Sequence, residues 1–364
     1  MTNLVKNNMI YLKAYTRMNL GDDLFIKKIC SKYPNQKFCI LADKKYKKIL
    51  KNIKNLKIMS YSYSNLEKIK RNYAEYRKKH LNFIKRICKK CNAHIYIGGS
   101  IFIENGKISL DRTKDLITEM NNFENRYIIG ANFGPYVSKE YFDCVHDELV
   151  PSLNRISFRD LESYNLFDDL ENASYAPDVL FSLEVPNNEN KKKELGISLI
   201  HHLERKELKN KYDEYLEQLK KISIKYIKNG YTIRLFSFCS YEKDNVAIDE
   251  FLNRMPTEYK SNIEIEYYEG DIDNMLDKIS KLDTIIATRF HSIVLGLKCG
   301  CNVIPICYSN KSVNLLNDLK ITEYVTFENI EQLLELKSNK LTKEELEMIE
   351  KKSKQNFEFL KINQ

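Results

Sequence analysis

Short apolar runs alternate with amphipathic stretches along most of the chain, and this pattern predicts strands followed by helices. In the first half, the apolar runs predict five strands, at residues 9–14, 37–41, 93–97, 127–131 and 155–158. In the second half they predict five more, at residues 195–200, 232–238, 263–268, 284–287 and 302–307. Regular alternation of strand and helix is typical of βα units in parallel sheets.

The two sets of strands are separated by residues 176–193, which contain two prolines and a run of lysines and so have the composition of a linker. We predict an α/β protein with a Rossmann-like domain over residues 1–182, a second over 191–340 and a C-terminal helix within 341–364. Paired doubly wound domains normally face each other across a cleft that holds the ligand at the carboxyl ends of the strands. Functional side chains are therefore expected directly after strands.

Composition narrows the class of protein. With 43% apolar and 30% charged residues, the 364-residue chain can bury a core, which excludes wholesale disorder. No apolar run approaches the roughly 20 residues of a membrane span, and the first apolar run is too short and interrupted for a signal peptide. Nine cysteines scattered through apolar segments fit a reduced compartment. We predict a cytoplasmic protein.

Charge is distributed unevenly along the chain. Residues 1–91 carry 24 Lys and Arg against 5 Asp and Glu, a net charge of +19, whereas the remainder sums to −10. A basic surface attracts phosphates, acidic glycans, nucleic acid or an anionic membrane leaflet. The alternative is that the chain is simply rich in lysine. The net charge changes sign between the two parts of the chain, however, and this argues against composition as the only explanation.

A basic amphipathic stretch covers residues 66–91. It places eight apolar residues on one helical face, with Lys and Arg elsewhere: Leu66, Ile69, Tyr73, Tyr76, Phe83, Ile84, Ile87 and Cys91. Such a helix fits a membrane surface, and an ordinary domain helix shows the same stripe. Both interpretations remain open.

The turn Thr288–Ser292, which follows a predicted strand, is the most informative motif. It opens an apolar helix, whose N-terminus presents free N–H groups to an anion. Arg289 can bind a carboxylate or phosphate through two hydrogen bonds, and His291 titrates near neutral pH and can transfer a proton. The alternative is a capping turn in which Thr288 or Ser292 caps the helix. Two charged or titratable groups in an apolar segment favour a functional role.

Neighbouring turns add further candidates. The strand at 302–307 delivers Tyr308 and Lys311 to the same edge as the previous turn. Arg159 and Asp160 follow another strand and open a helix. Arg159 either faces the cleft or belongs to an ordinary cap with a surface ion pair.

Other motifs carry weaker signals. Three glycine-containing turns end strands of the first half, but none matches a phosphate-binding loop or a dinucleotide fingerprint. Cys88 and Cys91 lack a second ligand pair, which favours two cysteines on a helix face over a zinc site. Asp271 and Asp273 fit a helix cap. The pair His201–His202 follows the first strand of the second half, where it would face the cleft and could contact a substrate.

Several motifs, taken in order, resemble the polysaccharide pyruvyl transferase family over most of the chain. They are N-x-G-D-D at Asn19–Asp23, an apolar strand ending in Gly98-Gly99, S-x-R-D-x-x-S at Ser157–Ser163, A-P-D-V-L-F at Ala176–Phe181, T-R-F-H-S at Thr288–Ser292, and the loop with Lys311. Two departures stand out. Ser100 follows the glycine pair where a third glycine is common, and His201 and His202 replace a frequent arginine.

The resemblance implies a glycosyltransferase-B-like fold and the transfer of pyruvate from phosphoenolpyruvate to two sugar hydroxyls, which forms a ketal and releases phosphate. By the same resemblance, Arg289 and His291 lie at the donor, and Arg159 and Lys311 complete its anion site. His291 is the candidate general acid–base group. Further substrate contacts are expected from Ser292, Tyr308, Asn19, Asp22, Gly99 and His201. The scheme needs no cofactor and no metal.

The expected acceptor is a glycan or a lipid-linked oligosaccharide bound by the basic N-terminal domain, with contact to an anionic membrane at its inner face and none to nucleic acid. One alternative is a glycosyltransferase of similar architecture that uses a nucleotide sugar, which would require an acidic residue for the ribose. Another is a protein that binds nucleic acid or a membrane surface, with steep salt dependence. The second alternative leaves the turn Thr288–Ser292 unexplained.

Overall fold

The computed structural model describes residues 9–60, 73–186, 188, 190–202 and 206–360, which form two compact α/β units. The first unit contains the described residues up to Thr16, Phe25–Val179 and the described residues from Lys352 onward. The second contains Arg17–Leu24 and Leu180–Lys351. We predicted domains of residues 1–182 and 191–340; in the structure, residues 17–24 group with the second unit instead of the first.

The first unit is built on a seven-stranded parallel sheet with the order β3-β2-β1-β4-β5-β6-β7. Its strands are β1 Met9–Lys13, β2 Lys37–Leu41, β3 Leu56–Met59, β4 Cys91–Ile97, β5 Asn125–Ala131, β6 Arg155–Phe158 and β7 Ala173–Tyr175. The five strands predicted for this half are confirmed, but β3 and β7 were missed. Both are short edge strands, and β3 contains no fully buried residue, so neither shows a strong apolar run.

The second unit has a six-stranded parallel sheet with the order β10-β9-β8-β11-β12-β13. Its strands are β8 Lys192–Ser198, β9 Thr232–Ser237, β10 Ile263–Tyr267, β11 Leu282–Ala287, β12 Asn302–Cys307 and β13 Val325–Thr326. All five predicted strands are present, and the missed β13 has two residues. The central strand β11 is buried on both faces, which explains why it reads as one continuous apolar run.

Twelve α-helices accompany these strands in the part of the chain that the structure describes, and the last of them follows the final strand. They are α1 Leu20–Lys32, α2 Tyr46–Ile49, α3 Tyr73–Ile87, α4 Ile108–Met120, α5 Lys139–Asp143, α6 Leu161–Asn165, α7 Tyr212–Lys228, α8 Asp244–Arg254, α9 Ile272–Ser280, α10 Phe290–Lys298, α11 Asn310–Asp318 and α12 Lys343–Ser353. The helix predicted within residues 341–364 corresponds to α12. Among the described residues, no helix is both long enough and apolar enough to cross a membrane.

The basic amphipathic stretch is shorter than predicted. Leu66 and Ile69 lie outside the described residues, and the described helix α3 ends at Ile87. Cys91 was placed wrongly on this helix, because the chain turns after Cys88 and Cys91 begins β4. Ile84 and Ile87 are buried in a core cluster of the first unit, so the described part of this face packs as an ordinary domain helix does.

Candidate functional site

The predicted site residues are distributed over both units. Gly99 and Arg159 lie in the first unit. The other eight lie in the second: Asn19, Asp22, His201, Arg289, His291, Ser292, Tyr308 and Lys311. Asn19 and Asp22 therefore belong with the residues predicted to bind the donor.

The turn Thr288–Ser292 is held by hydroxyl groups beneath it. Ser198, at the end of the neighbouring strand β8, accepts hydrogen bonds at Oγ from the backbone N–H of Thr288 (3.1 Å) and Arg289 (3.3 Å). Ser198 Oγ also lies 2.6 Å from Ser292 Oγ, which itself donates to the carbonyl oxygen of Arg289 at 2.6 Å. Ser198 must therefore donate to Ser292. These serines are fully buried, so the turn is fixed from below.

The capping interpretation of this turn was wrong. Arg289 occupies the N-cap position of α10, and no side chain caps the helix. Thr288 is instead hydrogen-bonded to the hydroxyl of Tyr215, at 3.1 Å. The first N–H groups of α10 thus receive no capping side chain from the turn.

Arg289 is buried and its guanidinium is bound by two carboxylates. Nε donates to Asp244 at 3.1 Å, Nη2 donates to the second oxygen of Asp244, and Nη1 donates to Glu242 at 2.5 Å. Asp244 additionally accepts the backbone N–H groups of Phe238 and Cys239. Although burial opposes the charge, the two carboxylates raise the pKa of Arg289 well above its ordinary value. With both carboxylates ionised, the cluster carries a net charge of −1 and is not a vacant anion site.

His291 packs against the first turn of α1. A Cβ placed on Gly21 would lie 1.8 Å from Nδ1 of His291, so only glycine allows the ring this close to the backbone. Asn19 organises that turn: its Oδ1 accepts the N–H of Gly21 (3.1 Å), and its carbonyl accepts the N–H of Asp23 (2.9 Å). The buried carboxylate of Asp23 accepts a hydrogen bond from Tyr268 at 2.7 Å. Gly21 of the N-x-G-D-D motif therefore lies directly against the ring of His291.

Lys311 lies beside the same turn, as the adjacency of β11 and β12 predicts. Its Nζ is 5.9 Å from the ring centre of Phe290 and 5.8 Å from that of Tyr308. The ring of Phe290 stands edge-on to His291, with centres 5.2 Å apart. Lys311 thus places a positive charge near the start of α10.

His201 and His202 follow β8, and their rings lie tilted against each other, with ring centres 4.5 Å apart. His201 is buried, and its Nε2 lies 3.4 Å from a carboxylate oxygen of Glu250. Both rings also pack against Tyr212. Burial lowers the pKa of His202, which favours its neutral form. A substrate contact by His201 stays a prediction.

Arg159 is the corresponding buried arginine of the first unit. Nη1 donates to Asp178 at 3.0 Å and Nη2 donates to Asn132 Oδ1 at 2.7 Å. Gly99 lets the guanidinium approach, since a Cβ there would lie 2.1 Å from its central carbon. Asp160 caps α6 by accepting the N–H of Ser163 at 2.8 Å, which confirms the capping interpretation for that residue. A role for Arg159 in donor binding stays a prediction.

The minor motifs behave as structural features. Asp271 caps α9 through the N–H of Asn274 (3.1 Å). Cys88 donates to a carbonyl oxygen in the last turn of α3, and Cys91 Sγ lies 3.6 Å from Cys39 Sγ. Within the described residues, no group of three or more His, Cys, Asp or Glu side chains could hold a metal ion.

Sequence reasoning missed three residues that shape the site. Glu242 and Asp244 follow β9, and Ser198 ends β8, so each stands at a strand end where functional groups were expected. The acidic pair was the available signal, because two carboxylates after a strand would compete for any nearby arginine. Ser198 gave no signal, since a buried serine in an apolar strand is unremarkable in sequence.

The two doubly wound parallel sheets define an α/β protein with a glycosyltransferase-B-like fold, and comparisons with solved structures agree. A putative UDP-N-acetylglucosamine 2-epimerase from Listeria monocytogenes is similar at 10% identity and a TM-score of 0.60, covering 96% of this chain and 93% of its own. The UDP-GlcNAc 2-epimerase of Methanocaldococcus jannaschii is similar at 13% identity and a TM-score of 0.56, with 90% of each chain covered. A spinosyn rhamnosyltransferase is similar at 9% identity and a TM-score of 0.50, again with 90% of each chain covered. At these identities, the likeness shows the fold alone.

The family is shown by a sequence model. The model of the polysaccharide pyruvyl transferases matches residues 19–310, from the N-x-G-D-D motif to the loop before Lys311. The chain therefore belongs to the polysaccharide pyruvyl transferase family, and it is a transferase. No curated protein matched the sequence.

Proposed function

We propose that this protein transfers pyruvate from phosphoenolpyruvate to two hydroxyls of a sugar in a cell-surface polysaccharide or its lipid-linked precursor. The enol carbon forms two bonds to sugar oxygens, and its bond to the phosphate oxygen breaks. The methylene carbon gains one of the two hydroxyl protons and becomes a methyl group, while the other proton leaves with phosphate. Membership of the family supports this class of reaction.

The position of His291 is the observation that carries the proposal. Its ring lies between the glycine of the N-x-G-D-D motif and the start of α10, next to a turn fixed by buried hydroxyls. A general acid–base group must be held in place to be effective, and a positioned histidine contributes about 10²–10⁴-fold to a rate. We assign His291 the proton transfer between the sugar hydroxyl and the methylene carbon.

The donor carries a phosphate and a carboxylate, so it needs positive partners. Lys311 and the N–H groups that open α10 supply them near His291. The two carboxylates take three of the five N–H donors of Arg289, so these engaged N–H groups can bind phosphoenolpyruvate only if a carboxylate is displaced. Glu242 is the partner to be displaced, because its side chain is 19% exposed whereas that of Asp244 is fully buried. Arg289 otherwise acts by holding the loop after β9 against the turn.

The acceptor remains a glycan or a lipid-linked oligosaccharide, as predicted from the charge of residues 1–91. A lipid diphosphate carrier is an anion at a membrane face, and the net charge of +19 would attract it. Contact with an anionic membrane belongs to the same proposal. Nucleic acid is not among the proposed partners.

A second candidate function is sugar transfer from a nucleotide sugar. The likeness to two UDP-GlcNAc 2-epimerases shows only the fold, but the names of those proteins specify a nucleotide-sugar substrate, which makes this donor class the alternative to test. The two candidates require different donors. Binding of phosphoenolpyruvate and of UDP-sugars therefore separates them.

The test is thermal stabilisation by phosphoenolpyruvate and by a panel of UDP-sugars. A ligand that binds only the folded state raises the free energy of unfolding by about 2.7 kcal/mol at a hundredfold excess over its Kd, and this raises Tm. We expect phosphoenolpyruvate to raise Tm and the UDP-sugars to leave it unchanged. Lys311→Gln should reduce the shift. His146→Asn serves as a control, since that histidine pairs with Asp147 and Asp169 in the first unit. A shift with a UDP-sugar alone would replace the proposal with the second candidate.

His291→Asn then tests the assignment of the proton transfer. This variant should retain much of the shift with phosphoenolpyruvate but lose phosphate release in the presence of lipid-linked glycans extracted from the source membranes. The His146→Asn control should release phosphate at the wild-type rate. Normal release by His291→Asn would refute the role of His291 without affecting the choice of donor.

A further inference from the structure

The segment 44–57 of the first unit is one dense run of basic charge, which we call the lysine surface. Its fourteen residues include seven lysines and no acidic residue, and all seven lysines are exposed: Lys44, Lys45, Lys47, Lys48, Lys51, Lys54 and Lys57. None of them has an ion pair with any residue that the structure describes. The nearest acidic residue in sequence, Asp43, accepts the backbone N–H of Lys45 at 2.7 Å.

The backbone under these lysines is anchored. Tyr46 and Leu50 are buried, at 1% and 4% exposure, and secure the short helix α2 to the unit. The side-chain amide of Asn55 donates to three carbonyl oxygens at the end of α1 and in the turn after it, at 2.9–3.0 Å. The lysine surface is therefore a fixed array of charges rather than a loose basic tail.

Protection of the sheet edge explains only a small part of this array. Strand β3 is an edge strand, and lysines on an edge discourage pairing with another chain. Of the seven lysines, however, only Lys57 lies within β3. The six others lie in or around α2 and in the turn that leads to β3.

We propose that the lysine surface docks the protein on an anionic lipid bilayer. Clusters of four to eight Lys or Arg on a surface are typical of binding to anionic headgroups, which demand charge but no fixed geometry. The segment contains no arginine for bidentate recognition of a phosphate or carboxylate, and its single aromatic residue, Tyr46, is buried. It therefore lacks the stacking groups with which proteins hold single-stranded nucleic acid. This inference rests on the proposed function, because it identifies the surface that makes the proposed membrane contact. Binding to lipid does not itself require catalytic turnover.

Sedimentation with vesicles tests the proposal on the full chain. Wild-type protein is mixed with vesicles of phosphatidylcholine containing phosphatidylglycerol, and separately with phosphatidylcholine alone. We expect binding only to the anionic vesicles, weakened by salt because exposed charges are screened. The variant Lys44→Gln/Lys45→Gln/Lys47→Gln/Lys48→Gln should bind them roughly 600-fold more weakly, since each of the four lysines near such a surface contributes about fivefold.

The matched control removes the same charge elsewhere. Lys221, Lys228, Lys260 and Lys337 are exposed residues of the second unit, and each is changed to Gln in the control variant. The control should bind the vesicles nearly as well as the wild type, and both variants should keep the wild-type Tm. An equal loss in the control would show that net charge alone acts, and would overturn the proposal.

Two other results would also overturn it. One is the absence of wild-type binding to the anionic vesicles. The other is displacement from the vesicles by an equal charge concentration of soluble polygalacturonate, which would make an acidic glycan the partner of the lysine surface. None of these measurements involves phosphoenolpyruvate, so failure here and failure of the proposed transferase reaction are distinguishable.

Discussion

Each unit places a buried arginine directly after a strand of its sheet, yet the two arginines have different surroundings. Arg159 in the first unit is bound by one carboxylate and one amide, Asp178 and Asn132. Arg289 in the second unit is bound by two carboxylates, Asp244 and Glu242. Arg159 thus contacts one carboxylate, whereas Arg289 contacts two and stands beside a histidine and a lysine. An arginine at a strand end therefore says little about anion binding until its partners are known.

Removing each arginine should produce the largest and clearest difference. Arg289→Met leaves two carboxylates without a counter-charge, and breaking a buried pair costs about 3–5 kcal/mol of the free energy of unfolding. Arg159→Met leaves one carboxylate, that of Asp178, without its arginine, so we expect a smaller loss in the free energy of unfolding. Urea denaturation measures both.

A rescue variant makes this comparison decisive. Arg289→Met combined with Asp244→Asn and Glu242→Gln should recover much of the lost stability, because no buried charge is then left unpaired. An equal loss for the two single arginine variants, or no rescue, would contradict the difference in carboxylate partners between the two arginines.

The glycines that admit His291 and Arg159 provide the next comparison. A Cβ on Gly21 would overlap the ring of His291, and Gly21→Ala should lower kcat roughly 100-fold through displacement of that ring. Gly99→Ala should instead displace Arg159. This breaks the pair between Arg159 and Asp178 and so lowers the stability of the protein. Phosphate release and Tm separate the two effects.

A double variant checks the cause assigned to Gly21. If Gly21→Ala acts by moving His291, it should have no further effect on kcat in the His291→Asn background, because the two changes remove the same interaction. Independent, additive losses would show that Gly21 acts by another route.

The smallest expected effect concerns two histidines, of which one is buried and the other half-buried. Burial lowers the pKa of His94, in the core of the first unit, to about 3, below the ordinary value of about 6.5. The unfolded chain then binds a proton that the folded chain does not, so stability falls as the pH drops below about 6.5. Between pH 7 and pH 5 this loss amounts to about 2 kcal/mol.

Substitution of each histidine tests this assignment. His94→Phe should remove most of the pH dependence from the free energy of unfolding measured in urea. His202→Phe in the second unit should remove less, because His202 is less buried. A pH dependence unchanged in His94→Phe would show that another group titrates.

The order of the elements could be read from the sequence because parallel strands buried on both faces form continuous apolar runs. The strand ending at Ala287 and the turn after it were found in this way. The edge strands β3 and β13 could not be found, since few of their residues are buried. Pattern reasoning also placed Lys311 correctly, because β11 and β12 are neighbours.

What the sequence could not supply was the pairing of charges across elements. The carboxylates that bind Arg289 come from the end of β9, forty-five residues away for Asp244. The contact between His291 and Gly21 joins residues at opposite ends of the family match. Such contacts depend on which strand ends lie at the same edge of the sheet and on which side chains are close enough to pair there.

The assignment of Arg17–Leu24 to the second unit has a consequence for modularity. The described chain passes from one unit to the other four times, after Thr16, Leu24, Val179 and Lys351. A fragment of residues 180–351 made alone would lack Asp23, the partner of Tyr268, and Gly21, the neighbour of His291. A single crossover near residue 180 would therefore not transplant a complete half of this enzyme. Exchange with a relative would have to carry the start of α1 along with it.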